Sequence, residues 1–278
     1  MPGPRHHLRD GHLAWLGRPA LRALIGAELL VQRAVDLPGR RRRRRQDEAL
    51  AERLTVVIKT FERPHLLRRL VRSLRRDHPA LRLVVVDDSR VPIHLDEVYV
   101  IGLPHDVGVS AGKNAGLAVV DTPYVAFLDD DYVATRRTDF ARVVAVLDAH
   151  PEIDLVGGRV AFLPSFRSDD YRRSGLFPTP VPPKRPTGSL VGGLPVYDKV
   201  ANFFVARTEA VREVGWSPEL KRLDHTDFFT RARGVLTTVY DDGFGCLHSQ
   251  DRFAAAYLEV RSSTDADRLH ITQRWFTD

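Results

Sequence analysis

The chain has 278 residues, 43% of them hydrophobic, enough for a sizeable core, yet no apolar run reaches the roughly 18–20 residues of a membrane span. Its single cysteine, Cys246, excludes an internal disulfide and cysteine-based metal clusters, and fits a reducing compartment. Lys and Arg total 42 against 36 acidic residues, but only five are lysine, an arginine bias that discounts part of the basicity as compositional.

Residues 1–50 differ from the rest. His12 to Leu37 predicts an amphipathic helix with Leu13, Leu16, Leu21, Leu24, Ile25, Leu29 and Leu30 as its apolar members. Pro38-Gly39 ends it, and six arginines follow, Arg40–Arg45. Two readings weigh equally: a helix packed on the main domain before a solvated linker, or peripheral contact with an anionic membrane through residues 13–45. Nucleic acid is not expected as a partner, because no aromatic residues interleave with the arginines and no nucleic-acid module accompanies them. The N-terminal apolar stretch is interrupted by Arg18, Arg22, Glu28 and Arg33 and lacks a clean cleavage site, so no secretory signal is read. The expectation is a cytoplasmic protein, peripheral on the inner membrane face if the second reading holds.

From Leu54 the pattern is α/β. Strands are expected at Leu54–Lys59, Arg82–Val86, Val98–Leu103, Tyr124–Leu128 and Val200–Ala206, with an extended segment at Val235–Tyr240. Helices are expected at Pro64–Arg76, Ser110–Val120, Phe140–Leu147, Thr208–Val214, Asp224–Arg233 and Ala254–Val260. Such alternation implies a largely parallel central sheet flanked by helices. The division is a 1–50 extension, a 51–250 domain and a 251–278 helical tail. Leu163–Pro195, rich in Pro, Gly, Ser and Arg, lacks periodicity, and so long a loop is expected to serve function, closing over a ligand with Phe166, Tyr171, Arg172 and Arg173.

The strongest feature is Tyr124-Val125-Ala126-Phe127-Leu128-Asp129-Asp130-Asp131, an apolar strand running into three acids. Ligands of open α/β sheets bind beyond the carboxyl ends of the strands. Three carboxylates placed there repel one another unless a cation shares them, and hard divalent metals take oxygen ligands together with substrate phosphates. The bland alternative is a solvated strand-to-helix turn. Three further strand ends carry polar clusters: Lys59-Thr60-Phe61-Glu62-Arg63-Pro64, Asp87-Asp88-Ser89, and the loop His105 to Gly116 with Lys113 and Asn114. Asp88 suits a uracil N–H or a ribose hydroxyl, Lys113 a phosphate, and Gly108, Gly112 and Gly116 close backbone approach. Their spacing fits neither a Walker loop nor a dinucleotide fingerprint.

In this order the clusters, with Leu155-Val156-Gly157-Gly158, Asn202-Phe203-Phe204-Val205-Ala206-Arg207-Thr208 and His225-Thr226-Asp227-Phe228-Phe229, resemble the metal-dependent glycosyltransferases of family 2, of GT-A (Rossmann-like) nucleotide-diphospho-sugar transferase fold. The resemblance covers roughly Leu54 to Gln250 and is greatest to the β-1,4-N-acetylgalactosaminyltransferases. It implies a UDP-sugar donor and Mn²⁺ or Mg²⁺; the acceptor is not carried over from the resemblance and is expected to be a glycan, a glycolipid or a lipid-linked group. It implies nucleotide contacts from Thr60, Glu62 and Arg63, and uridine reading by Asp88. Lys113 and Asn114 fall near ribose and diphosphate, Asp129 and Asp130 at the donor, Gly158 against the donor sugar, and Asn202 toward sugar or acceptor. Asp131, Asp129 and His248 would hold the metal. Asp227 matches the general base of inverting members, with Asp where the ganglioside-building enzymes carry Glu.

Packing alternatives stand beside these roles. His248 and Asn202 could be structural hydrogen-bonders, Asp227 a first-turn helix acid, and Trp216 a core aromatic instead of a sugar platform. A sugar nucleotidyltransferase would place glycines after the first strand, where Thr60 to Pro64 has none. A prenyl synthase would carry its acids on a helix. A UDP-sugar-binding scaffold without turnover is the remaining competitor.

Overall fold

A computed structural model describes residues 14–37, 47–96, 98–173, 175–250 and 255–276. The Arg40–Arg45 run lies outside the described residues. The main sheet has eight strands: β1 (Leu54–Thr60), β2 (Arg82–Asp87), β3 (Tyr99–Gly102), β4 (Tyr124–Asp129), β5 (Tyr132–Ala134), β6 (Leu155–Phe162), β9 (Phe203–Arg207) and β10 (Thr238–His248). A separate hairpin, β7 (Leu190–Val191) and β8 (Leu194–Pro195), sits in the long loop. The sheet order is β3-β2-β1-β4-β9-β6-β10-β5. β1 pairs in parallel with β2 and β4, and β6 in parallel with β10, while β9 and β5 run antiparallel to their neighbours.

The central strands are buried on both faces, as parallel strands between helical layers must be. Leu54, Val56 and Ile58 of β1 point into one core cluster with Leu67, Leu70 and Leu74. Val57 points the other way, beside Phe127, Phe204, Trp216 and Phe228. Fully burying one such phenylalanine contributes about 1.5–3 kcal/mol. Helix α2 (Pro64–Asp77) starts with Pro at its first position, buries Leu66, Leu67, Leu70, Val71 and Leu74, and carries Arg75 and Arg76 in its last turn, where the helix dipole favours cations. Helix α3 (Val109–Ala118) lies tight on β1: a Cβ on Gly116 would come 2.4 Å from Val57 Cγ1. The close approach offered by these glycines is to the protein itself. Helix α4 (Phe140–Ala149) is capped by Asp139, which accepts from Arg142 N at 3.1 Å.

Register assembles one edge. Lys59 is opposite Asp129, and Thr60 opposite Asp87. Leu128 is opposite Phe203, which brings Asn202 to the same end of the sheet. His248 pairs with Tyr132 across β10 and β5, one residue past the acidic triplet.

Several elements correct the sequence reading. β5 and β6 carry no separate expectation there, and β10 continues from the expected Val235–Tyr240 stretch to His248 through an irregularity between Asp241 and Gly245. A sheet-crossing strand with an irregularity loses period-2 alternation. Helix α1 (Ala14–Asp36) both packs and faces solvent: Ile25 and Leu29 rest on Val133, Leu163 and Leu247, while Leu24, Leu30 and Val31 are exposed. The C-terminal helices α7 (Ala255–Ser262) and α8 (Asp265–Trp275) are tied to the domain. The Asp267 carboxylate accepts from the backbone N–H groups of Lys221, Arg222 and Leu223, just before α6 (Asp224–Ala232).

Candidate active site

The carboxyl edge holds a cavity of about 130 Å³. Of the residues assigned from sequence, Thr60, Arg63, Asp88, Asp129, Asp130, Asp131, Asn202 and His248 line it. Asp130, fully buried, accepts from Thr60 Oγ1 at 2.7 Å and from Arg63 Nη2. Arg63 Nη1 reaches Asp131 Oδ2 at 2.9 Å. His248 Nε2 lies 3.1 Å from the same oxygen. Tyr132 OH donates to Asp129 Oδ2 at 3.1 Å.

These contacts split the carboxylates electrostatically. Burial raises Asp129, and it raises Asp130 to about 6, with Asp131 adding to the rise and Arg63 opposing it. Burial would also raise Asp131, but the hydrogen bond and charge of His248, with the charge of Arg63, hold it below the usual carboxylate range. Asp131 is thus the carboxylate most readily kept ionised, as a cation ligand must be.

The residues fit a divalent cation. Asp131 and His248 supply an oxygen and a nitrogen 3.1 Å apart. The other ring nitrogen of His248, Nδ1, is buried without a hydrogen-bond partner. Among the described residues no three His, Cys, Asp or Glu side chains form a ready cage. A hard cation that keeps substrate phosphates in its shell does not need one.

At the ends of β1 and β2, Asp88 Oδ1 accepts from Lys59 Nζ and Oδ2 from Gly108 N at 3.0 Å. Gly108 has φ 102°, and a Cβ there would strike Lys221. Burial lowers the Lys59 ammonium, with Asp88 pulling against it. Glu62 is not among the lining residues; it has φ 53°, and its carboxylate accepts from Arg90 N at 2.8 Å.

Packing places four of the residues assigned from sequence outside the cavity lining. Asn114 spends its carboxamide on Trp216, donating to its O at 2.8 Å and accepting from its N at 2.9 Å, and does not line the cavity. Lys113 lies behind the cavity wall, donating to Asp224 Oδ2 at 2.8 Å and Asn202 Oδ1 at 3.2 Å, so it orients those two groups. Gly158 faces the rings of Phe203 and Phe244, which a Cβ would meet at 2.7 Å and 2.5 Å, and is a packing glycine. Asp227, 1% exposed, accepts from Ser217 Oγ at 2.7 Å, Arg231 Nε at 2.9 Å and Trp275 Nε1 at 3.0 Å, and does not reach the cavity. The carboxylate that does is Asp224, at the start of α6. Trp216 stacks at 4.6 Å on Phe228 inside the core, the packing alternative.

Other lining residues had no role assigned from sequence: Lys59, Phe61, Arg222, Tyr257, Val260 and Arg261. Tyr257 lies under the Arg63 guanidinium at 4.0 Å. The last three come from α7, whose sequence has no strand end or glycine turn to flag it. Asp224 was within reach, three residues from Asp227 in the same segment. None of the residues 163–195 lines the cavity. Tyr171 packs on His225 at 5.9 Å, and Phe177 on Trp275 at 6.0 Å.

Residues 55–215 match the model of "Glycosyl transferase family 2". The chain belongs to this family. It is 40% identical over 196 residues to human "Beta-1,4 N-acetylgalactosaminyltransferase 1", covering 66% of this chain and 36% of that protein. It is 33% identical over 170 residues to "Pre-mycofactocin glycosyltransferase" of Mycobacterium tuberculosis, covering 58% and 35%. The family 2 chain thus spans about a third of the length of the curated relatives it matches. Its fold resembles S. aureus TarS 1-349, a structure 16% identical with TM-score 0.56, covering 71% of this chain and 60% of that one. The same protein in complex with UDP-GlcNAc superposes with TM-score 0.54, covering 71% and 58%. The fold is therefore GT-A. Among the described residues no helix is long and apolar enough to cross a membrane.

Proposed function

We propose that this chain is an inverting glycosyltransferase that moves a sugar from a UDP-sugar to an acceptor hydroxyl, with Asp224 as general base. The observation that carries the reading is the single cavity where Asp88, the Asp129–Asp131 triplet and Asp224 converge from different elements. The donor sugar favoured is an N-acetylhexosamine, GalNAc first. The N-acetylgalactosaminyltransferase relatives and the TarS complex with UDP-GlcNAc support that choice.

Asp88 accepts from the uracil or ribose, fixed by Lys59 and Gly108. Mn²⁺ or Mg²⁺ would be held by Asp131 and His248, with Asp129 toward the ribose, and when bound it supplies positive charge against the leaving diphosphate. Lys113 and Asn202 hold Asp224 and the sugar-facing wall in place. Asp224 takes the proton of the acceptor hydroxyl on the face opposite the diphosphate, so one base suffices and the anomeric configuration inverts. The cavity is smaller than the ~300–1,000 Å³ of small-molecule sites, and Tyr257, Val260 and Arg261 of α7 form part of its wall. Donor entry therefore displaces α7 and draws Arg63 away from Asp130 and Asp131. Acceptors remain glycan, glycolipid or lipid-linked. Peripheral contact with an anionic membrane is supported by the exposed Leu24, Leu30 and Val31 on α1.

The test is UDP release against a panel of UDP-sugars with Mn²⁺, with and without EDTA. One donor should release UDP in a metal-dependent way, and Asp131→Ala should lower release by on the order of 10³. Metal-dependent UDP binding with no release from any donor, across a full acceptor panel, would leave a binding scaffold instead. Retention of the donor's configuration, read by NMR, would sink the single-displacement mechanism.

A further inference from the structure

A second cavity, of about 300 Å³, opens between α1, α2 and β5, away from the cavity that holds Asp88 and Asp224. Four guanidinium groups line it: Arg33 from α1, and Arg69, Arg72 and Arg76 from α2. One carboxylate, Asp36, lies among them. Asp36 is buried and committed: its Oδ1 accepts from Gln32 Nε2 at 2.8 Å and from Arg136 N at 3.0 Å, and its Oδ2 lies 3.5 Å from Arg76. Arg76 also lies 3.4 Å from Asp77, and Arg69 donates to Ser249 O at 2.6 Å. The outward charge of the cavity thus falls mainly to Arg33 and Arg72, both exposed. Like charges gathered from two helices repel unless an anion shares them. A planar guanidinium fork matches a phosphate group in two-point contact.

The floor of this cavity is apolar, formed by Leu29, Val133 and Ala134. Next to Arg33 on the same helix Leu30 is 63% exposed, and Leu37, just past the helix end on the same side, is 61% exposed. A soluble phosphate would use the arginines and leave these residues in water. A phosphate carrying an acyl chain uses both. The six arginines Arg40–Arg45 follow α1 in sequence and add attraction to an anionic surface.

We propose that the cavity between α1 and α2 binds the phosphate head group of an anionic membrane lipid, with the exposed Leu30 and Leu37 against the acyl region. This deepens the membrane-contact reading and rests on it. The cavity borders the reaction centre through β5, which directly follows Asp129–Asp131, and through Arg69, whose partner Ser249 accepts a place beside His248.

The experiment is flotation of the full chain with three vesicle types: phosphatidylcholine alone, and phosphatidylcholine with either phosphatidic acid or phosphatidylglycerol at matched surface charge. The wild type should prefer phosphatidic acid, whose monoester phosphate is accessible to several guanidiniums. R33Q/R72Q should bind those vesicles about 30-fold more weakly, two contacts at about 1 kcal/mol each, with its unfolding midpoint unchanged. A second variant replaces Arg40–Arg45 by glutamine. If that variant loses binding while R33Q/R72Q floats like wild type, the head-group site is overturned and membrane contact stands. Equal loss of phosphatidic acid and phosphatidylglycerol binding in R33Q/R72Q overturns the site in favour of plain surface charge. No flotation with either anionic vesicle overturns both readings, and stabilisation by inorganic phosphate in that case would point to a soluble anion.

Discussion

The strand-end side of the cavity, built by β1, β2 and β4, and the helical side, built by α6 to α8, obey different rules. At the first, a side chain's place follows from its position at a strand end. Parallel register then sets Thr60, Asp87 and Asp129 side by side. At the second, Asp224 and Asp227 share one helix turn yet have opposite fates. Asp224 faces the cavity, while Asp227 is closed in by Ser217, Arg231 and Trp275, two of them from other elements. A strand end announces its direction locally; a helix residue takes its role from whatever packs against it.

Exchanging the two carboxylates for amides tests that contrast most strongly. Asp224→Asn keeps an acceptor for Lys113 and should lower turnover by about 10²–10⁴ in UDP release, with little change in donor KM. Asp227→Asn should instead cost about 3–5 kcal/mol in urea unfolding, since it leaves Arg231 short of its buried partner, while turnover per folded molecule is largely kept. The reverse pattern would restore Asp227 as the base. Next in size, Asp267→Ala removes the acceptor of three successive amides and should cost about 2–4 kcal/mol, read by the same unfolding titration.

A smaller effect sharpens the contrast through pH. Burial lowers His225, whose Nε2 lies 2.6 Å from Val200 O, to about 4. The folded state then binds fewer protons than the unfolded chain between about pH 4 and 6.5, so stability rises with pH across that window and is lost as pH falls. His225→Gln should flatten this slope by on the order of 1–2 kcal/mol between pH 4.5 and 7.5. A slope unchanged in the variant would assign the dependence elsewhere. The smallest change is expected at the surface of the parallel half. Arg82→Ala breaks an exposed ion pair with Asp121 and should move stability by less than about 0.5 kcal/mol.

The same contrast explains how much was legible beforehand. The parallel half could be read because buried strands are apolar runs, and each ends in a polar cluster. The acidic triplet, Thr60, Asp88 and Asn202 all reach the cavity. Asn114, Lys113 and Gly158 belong to the right segments, but their partners Trp216, Asp224 and Phe244 are distant in sequence. No local pattern encodes which neighbour claims a carboxamide. β6 escaped separate notice because its apolar run contains Gly157 and Gly158, glycines demanded by Val200 and Phe244 on other elements. Tyr257 and Arg261 line the cavity because α7 packs against Arg63.

Asp267 grips the three amides immediately before Asp224, and Trp275 on the same helix holds Asp227. Mechanically, α8 is a lever whose short arm is the first turn of α6. A load, graft or binding partner that tugs on α8 would be felt at the proposed base before it is felt by the sheet.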